Sequence, residues 1–273
     1  MNAPITRRGA LQAAAIAASL PALAACSTTG TTRSGPTHFV LVHGAWHGAW
    51  CWSKLVPLLR AQGHLVTAVD LPGRWARPET TMSLTPADFV ETVGQVVRTS
   101  PLPVTLVGHS LGGATISLAA EQYADRIANL VYVAAFLVPS GQSVGTIAMA
   151  DKGTLIPKAV RRDAATRTST VIPERAKELF YKDCADDDVR AALQLLCPEP
   201  STMSAARLSL TDAKFGRIKR YYVECLNDRA ISLETQRTMQ TALPCRKVFT
   251  IDSSHSPFMS RPEELASILA RIA

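Results

Sequence analysis

Val104-Thr105-Leu106-Val107-Gly108-His109-Ser110-Leu111-Gly112-Gly113 is the stretch that decides the fold. A short apolar run rich in β-branched residues passes straight into Gly-x-Ser-x-Gly. A small-residue segment of helical composition follows, as far as Tyr123. In a strand, tight turn and helix this pattern has a mechanical meaning. Gly108 and Gly112 leave room where the strand and helix backbones nearly touch, and the turn lifts the Ser110 hydroxyl above the sheet edge. The serine then lies at a helix N-terminus, whose dipole and free N–H groups favour developing negative charge.

The same rhythm extends outward from this stretch. His38–Val42, Leu65–Val69, Val104–Val107, Leu130–Ala135, Arg220–Cys225 and Lys247–Ile251 read as strands. Helical spacing marks Trp52–Ala61, a segment from Pro86 to about Arg98, Ser110–Tyr123, Leu233–Ala242 and Pro262–Ile272. Thr85-Pro86-Ala87-Asp88 supplies an N-cap, a proline at the first helical position and an acid in the first turn. Strands apolar on both faces, alternating with helices, predict an α/β fold with a mostly parallel sheet covered by helices on both faces. Residues 138–215 break the rhythm. They hold 11 Lys or Arg and 10 Asp or Glu, with helix-like pieces at Glu174–Tyr181 and Asp187–Leu196. They read as a small helical cap inserted above a domain that spans 38–273.

A serine hydroxyl is a weak nucleophile until a base takes its proton. Of the six histidines, His38 lies in a strand, His43 and His47 flank a glycine-rich turn, and His109 is inside the elbow. His255 follows the last strand, in Asp252-Ser253-Ser254-His255-Ser256-Pro257, and is the candidate base. The orienting acid is expected after a strand lying between the serine and that histidine. Asp228 fits: Glu224 is inside its strand, Asp252 is too near His255, and Asp70 precedes the serine. The oxyanion of a tetrahedral intermediate needs two N–H donors. Leu111 follows the nucleophile, and Ala45 lies in the turn His43-Gly44-Ala45-Trp46 after the first strand. Trp46, Phe136, Phe180 and Tyr181 are candidates for the substrate pocket, whereas Trp50 and Trp52 are expected in the core.

The N-terminus has a different character. Met1–Ala25 carries Arg7 and Arg8, no acid, and an alanine-rich apolar run. This is the layout of an export signal, and the run is shorter than the roughly 20 apolar residues of a spanning helix. Thr6-Arg7-Arg8-Gly9-Ala10-Leu11 resembles a twin-arginine signal, with Ala10 where a bulky apolar residue is usual. Leu23-Ala24-Ala25-Cys26 resembles a bacterial lipobox, in which the Cys26 thiol is lipidated and becomes the new N-terminus. Acyl chains there would anchor the protein to a membrane. Residues 26–37 read as a polar tether. The expectation is an exported protein, periplasmic or in the cell envelope.

Export changes the arithmetic of the 273-residue chain. Removing two arginines from a net charge of +7 leaves +5. No basic stripe accompanies that charge, so nucleic acid is not an expected partner. With Cys26 acylated, five of the six cysteines remain. Cys184 and Cys197 lie in one cap segment and are candidates to pair under oxidising conditions. No Cys/His cluster has zinc spacing, and Gly112-Gly113 lacks the Lys-Ser/Thr of a nucleotide loop.

Phe39-Val40-Leu41-Val42-His43-Gly44-Ala45-Trp46-His47-Gly48-Ala49-Trp50-Cys51-Trp52 resembles the start of the plant methylesterase and hydroxynitrile lyase branch of the α/β hydrolases, with bacterial carboxylesterases and pyrethroid-hydrolase-like enzymes among its relatives. Gly63-His64-Leu65-Val66-Thr67-Ala68-Val69-Asp70-Leu71, Val131-Tyr132-Val133-Ala134-Ala135-Phe136, Asp228-Arg229-Ala230-Ile231 and Ser254-His255 carry the likeness toward the C-terminus. The resemblance implies a capped parallel sheet, a Ser110–His255–Asp228 triad, no cofactor, and a small-molecule ester as substrate. The lyases of this branch place a threonine after the first histidine of the turn and a lysine after the catalytic histidine. Gly44 and Ser256 stand at those positions, which favours ester hydrolysis. A lyase or acyltransferase on the same triad, and a non-catalytic ligand-binding member of the fold, are the alternatives.

Overall fold

The computed structural model describes residues 35–74 and 81–273. The export-signal readings and Cys26 lie outside them. Six strands form one parallel sheet: β1 (His38–Val42), β2 (Leu65–Val69), β3 (Val104–His109), β4 (Ile127–Val133), β8 (Lys219–Cys225) and β9 (Lys247–Ile251). Their order across the sheet is β2-β1-β3-β4-β8-β9. All residues of β1 and β3 are buried. Consecutive side chains of a strand point to opposite faces, so both faces are covered, as continuous apolar runs require. The outer strands β2 and β9 are partly exposed.

Two helix pairs supply the cover. α1 (Leu55–Ala61) packs on α10 (Pro262–Ala270), and α2 (Pro86–Thr99) packs on α3 (Gly112–Tyr123). α2 starts as its sequence dictates. Pro86 sits at the first position, and Asp88 Oδ2 accepts the Thr85 N–H at 2.7 Å, closing a capping box. The helix buries Phe89, Val90, Val93 and Val97, each side chain contributing about 1.5–3 kcal/mol by leaving water. α9 (Leu233–Ala242) lies beside β8.

Three of the boundaries that depart from the expected ones have a visible backbone cause. α1 begins at Leu55, because Ala49–Trp52 forms a 3-10 turn. α3 begins at Gly112, because Ser110 has φ 52° and cannot be helical. β4 stops at Val133, because Ala134 has φ 41°. The Tyr222 hydroxyl holds the strained exit: it accepts the Ala135 N–H at 3.1 Å and donates to the Ala135 carbonyl at 2.8 Å.

Between β4 and β8 the chain forms α4 (Val144–Ala150), α5 (Ile156–Ala159), β5 (Val160–Asp163), β6 (Thr168–Val171), α6 (Pro173–Phe180), α7 (Asp186–Leu195), β7 (Glu199–Pro200) and α8 (Thr202–Ala205). Helices were expected here. The antiparallel sheet β5-β6-β7 was not. Its strands are short, and β5 and β6 are half exposed, so they carry no alternation long enough to read. Cys184 and Cys197 do not pair: both thiols are free and buried. Cys197 Sγ is turned to the Trp46 carbonyl at 3.6 Å instead.

Because all six strands are parallel, their C-terminal ends lie at one edge. The loops after β1, β3, β8 and β9 therefore gather Ala45, Ser110, Asp228 and His255 at that edge.

Candidate active site

Ser110 sits on a sharp elbow built by glycines. A Cβ on Gly108 would stand 2.8 Å from the Gly112 carbonyl oxygen, and one on Gly112 would stand 2.6 Å from the Val42 carbonyl oxygen. Neither approach is open to a larger residue. The φ of 52° at Ser110 is a left-handed conformation that costs a non-glycine residue about 1–2 kcal/mol. The fold holds it from both sides. The Ser110 N–H donates to the Val133 carbonyl at 3.4 Å, and the Ser110 carbonyl accepts from Phe136 and Gly113 N–H at 3.0 and 3.1 Å.

His255 and Asp228 meet. His255 Nδ1–H donates to Asp228 Oδ2 at 2.7 Å, with both side chains buried. This leaves Nε2 of the neutral ring as an acceptor. Asp228 is held by three further donors: the Ala230 and Ile231 N–H on Oδ1 at 2.7 and 3.0 Å, and Gln236 Nε2 on Oδ2 at 3.4 Å. The His255 loop is tied to the elbow, since His109 Nε2–H donates to the His255 carbonyl at 2.9 Å and the two ring centroids are 4.4 Å apart. Ser254 Oγ donates to Asp183 and to the Phe180 carbonyl, joining the loop to the cap. Ser110 Oγ makes no hydrogen bond to His255 or to any other described residue. Such contacts often tighten only with substrate in place.

The turn after β1 is set peptide by peptide. Leu71 N–H donates to His43 Nε2 at 3.1 Å, so His43 carries its proton on Nδ1 and donates to the Gly44 carbonyl at 2.8 Å. His47 Nδ1–H donates to the Ala45 carbonyl at 2.8 Å, and its Nε2 accepts the Tyr181 hydroxyl at 2.6 Å. A trans peptide points its N–H opposite to its C=O, so these bonds orient the Ala45 N–H. Neither Ala45 nor Leu111 donates its N–H to an acceptor among the described residues. Both amides are free for an oxyanion. Burial holds all three supporting histidines neutral: it lowers His43 and His109 well below the usual histidine value, and His47 to about 3.

Trp46 follows at φ 61° and is buried. Its N–H donates to Glu199 Oε2 at 3.0 Å, its carbonyl accepts the Cys197 N–H at 3.0 Å, and its indole N–H donates to the Ser169 carbonyl at 3.1 Å. Phe180 lies between the turn and the base, its ring 5.7 Å from that of Trp46 and 5.6 Å from that of His255. Tyr181 is fully buried and spends its hydroxyl on His47. Phe136 is buried behind the elbow, meeting it through backbone. A groove of about 320 Å³ runs between α4 and α9, lined by Ile147, Asp151, Glu234 and Met239 among others; none of Ser110, His255 or Asp228 lines it.

Gln236, Arg74 and Glu199 are not among the residues to which the sequence points. Gln236 carried one local signal, a polar residue one helical turn before the buried Met239. Arg74 and Glu199 carried none.

A sequence model described as the alpha/beta hydrolase family matches residues 39–268. The chain belongs to the alpha/beta hydrolase family. Within this family it is 30% identical to Methylesterase 1 of Arabidopsis thaliana, over 86% of this chain and 95% of that one. It is 34% identical to a longer chloroplastic protein of the same plant, of which it spans 64%. Among solved structures, a pyrethroid hydrolase from Sphingobium faniae superposes with a TM-score of 0.81 at 28% identity, covering 87% of this chain and 97% of that one. Polyneuridine aldehyde esterase superposes with a TM-score of 0.77 at 27% identity, covering 87% and 99%.

Proposed function

We infer that this ester hydrolase cleaves a small or medium apolar carboxylic ester through Ser110, His255 and Asp228. The observation that carries the reading is the 2.7 Å hydrogen bond from His255 Nδ1 to the buried Asp228, at the sheet edge that also bears the Ser110 elbow. Ser110 Oγ attacks the ester carbonyl carbon while His255 Nε2 takes the hydroxyl proton. Asp228 holds the resulting imidazolium. The N–H groups of Ala45 and Leu111 receive the oxyanion. Collapse expels the alcohol, which takes the proton from His255, and leaves Ser110 acylated. A water then attacks the acyl carbon with His255 as base, releasing the acid and restoring the serine.

The relatives named methylesterase, pyrethroid hydrolase and polyneuridine aldehyde esterase support a carboxylic ester as substrate. Trp46 and Phe180 support an apolar acyl or alcohol group. Gly44 weighs against the lyase alternative: a Cβ there would stand 2.7 Å from Ser110 Cβ and 2.9 Å from His109 Nδ1, so no threonine fits this turn unshifted.

The test is hydrolysis of p-nitrophenyl esters of increasing acyl length. Wild type is expected to turn over, and Ser110→Ala to lose at least about 10³-fold in kcat/KM. Wild-type rates in the variant would sink the triad. A wild type inert to every ester that still binds apolar ligands would favour a binding protein.

Export and lipid anchoring at Cys26 complete the proposal, on the strength of the paired arginines, the apolar run and Leu23-Ala24-Ala25-Cys26. Labelled palmitate is expected to enter the wild-type chain in cells and not Cys26→Ser; equal labelling would refute the anchor.

A further inference from the structure

The cap segment Cys197–Glu199 grips the oxyanion turn from above. Both backbone groups of Trp46 are bonded to it: the N–H to Glu199 Oε2 at 3.0 Å and the carbonyl to the Cys197 N–H at 3.0 Å. Glu199 is buried, and so is its partner Arg74, whose Nη2 donates to the same Oε2 at 2.6 Å. Glu199 Oε1 and Arg74 Nε are buried without a partner. The pair is therefore only half satisfied as an ion pair, and a buried pair of this kind is often no more stable than two apolar side chains of the same volume. What the carboxylate does that an apolar residue cannot is accept the Trp46 N–H.

That N–H belongs to the peptide joining Ala45 to Trp46. Its carbonyl end is fixed by His47, which is itself held by Tyr181 from the cap. The preceding peptide, which carries the Ala45 N–H, is fixed by His43. With both flanking planes fixed, the backbone angles of Ala45 have no freedom, and its N–H points one way. Trp46 holds its left-handed φ of 61° inside this frame, a conformation that persists only where the surroundings over-determine it.

We propose that Glu199 is a positioning residue for ester hydrolysis: from the cap it fixes the Ala45–Trp46 peptide, and thereby aims the Ala45 N–H at the oxyanion, while Arg74 supplies the counter-charge for burial. The inference rests on the proposed Ser110 mechanism. It adds that the cap is part of the catalytic apparatus as well as its cover. A donor aimed in advance stabilises the transition state more than the bound ester, so loosening it lowers kcat and spares KM.

Two double variants separate this role from the ion pair. Arg74→Met with Glu199→Gln removes the charges and keeps an acceptor opposite Trp46; Arg74→Met with Glu199→Met removes both. The Gln variant is expected within about threefold of wild-type kcat, and the Met variant about 10- to 100-fold below it, with KM within about threefold in each. Affinity for a trifluoromethyl ketone, which adds Ser110 to form a tetrahedral oxyanion, is expected to fall with kcat; affinity for the product acid is not. Equal kcat in the two variants overturns the proposal. If the Met variant fails to fold, Glu199→Asp carries the test, because it keeps the charge and withdraws the acceptor by one methylene: a fall of at least about tenfold in kcat is expected, and an unchanged kcat overturns the proposal. A wild type that hydrolyses no ester sinks the mechanism itself; an active wild type with matching Gln and Met variants sinks only the role of Glu199.

Discussion

The two halves of the candidate site are held in different ways. Asp228 and His255 are held mainly from the sheet side: Asp228 by the N–H groups of its own loop and by Gln236 of α9, and the His255 loop by His109 of β3. The Ala45–Trp46 turn is held largely from the cap, through Glu199, Cys197, Ser169 and the Tyr181–His47 pair. In the proposed mechanism, proton transfer would thus belong mainly to the hydrolase core, and oxyanion binding would be shared with the insertion. A change of cap should alter the second more than the first.

The largest break in that comparison is expected on the core side. Asp228→Asn presents an amide to His255 Nδ1 and favours the wrong tautomer, so kcat is expected to fall about 10³–10⁴-fold with KM little changed. A variant that kept a tenth of the wild-type kcat would remove Asp228 from the orienting role. On the turn side, Gly44→Ala pushes a methyl group to 2.7 Å from Ser110 Cβ. Both Ser110 and His109 are fixed by backbone bonds, so the turn must move, and kcat is expected to drop about 10- to 100-fold. Wild-type kcat in Gly44→Ala would show that the turn yields freely.

The same division governs what could be read from the sequence. The elbow was legible because its constraint is local: two glycines within three residues of a serine, between a strand and a helix. His255 and Asp228 were legible because chain order and strand ends place them. His43 and His47 were visible, but not their task, since a hydrogen bond from a ring to a neighbouring carbonyl leaves no pattern in composition. Arg74 and Glu199 meet across 125 residues of chain, and nothing near either one announces the partner. The β5-β6-β7 sheet escaped for a different reason: Val160–Asp163 is mostly exposed and polar, so its hairpin with Thr168–Val171 leaves no apolar alternation to read.

Gln236 offers a finer cut on the core side. Its Oε1 accepts the Cys225 N–H at 3.2 Å, and its Nε2 donates to the Ile231 carbonyl at 2.9 Å and to Asp228 at 3.4 Å. Gln236→Leu keeps the volume, withdraws the side-chain partner of the Cys225 N–H and the Ile231 carbonyl, and removes one of the donors to Asp228. A loss of about 1–3 kcal/mol in urea unfolding is expected, with kcat reduced about tenfold as the Asp228 loop loosens. A variant with full stability and lowered kcat would make Gln236 purely orienting. One with lowered stability and full kcat would make it purely structural.

The smallest effect is a matter of pH, and it falls on the cap-held side. His47 is packed among Trp50, Phe180, Tyr181, Phe258 and His109, donates to the Ala45 carbonyl and accepts from Tyr181. Burial lowers its pKa to about 3, and the nearby His255 and Arg74 disfavour its charge further. The folded value therefore lies below the unfolded one of about 6.5. As pH falls through 6.5 the unfolded chain takes the proton first, so the stabilisation is complete above that pH and is lost progressively toward pH 3. Between pH 7.5 and 5.5 the loss from His47 is expected to be about 1.4 kcal/mol. His43 and His109, also held low by burial, add with the same sign. Urea unfolding at the two pH values measures the total, and His47→Gln, which cannot titrate, is expected to flatten it by the His47 share. An unchanged slope in that variant would mean that His47 takes its proton as readily folded as unfolded, and the Tyr181–His47 arm of the cap's hold on the turn would have to be abandoned.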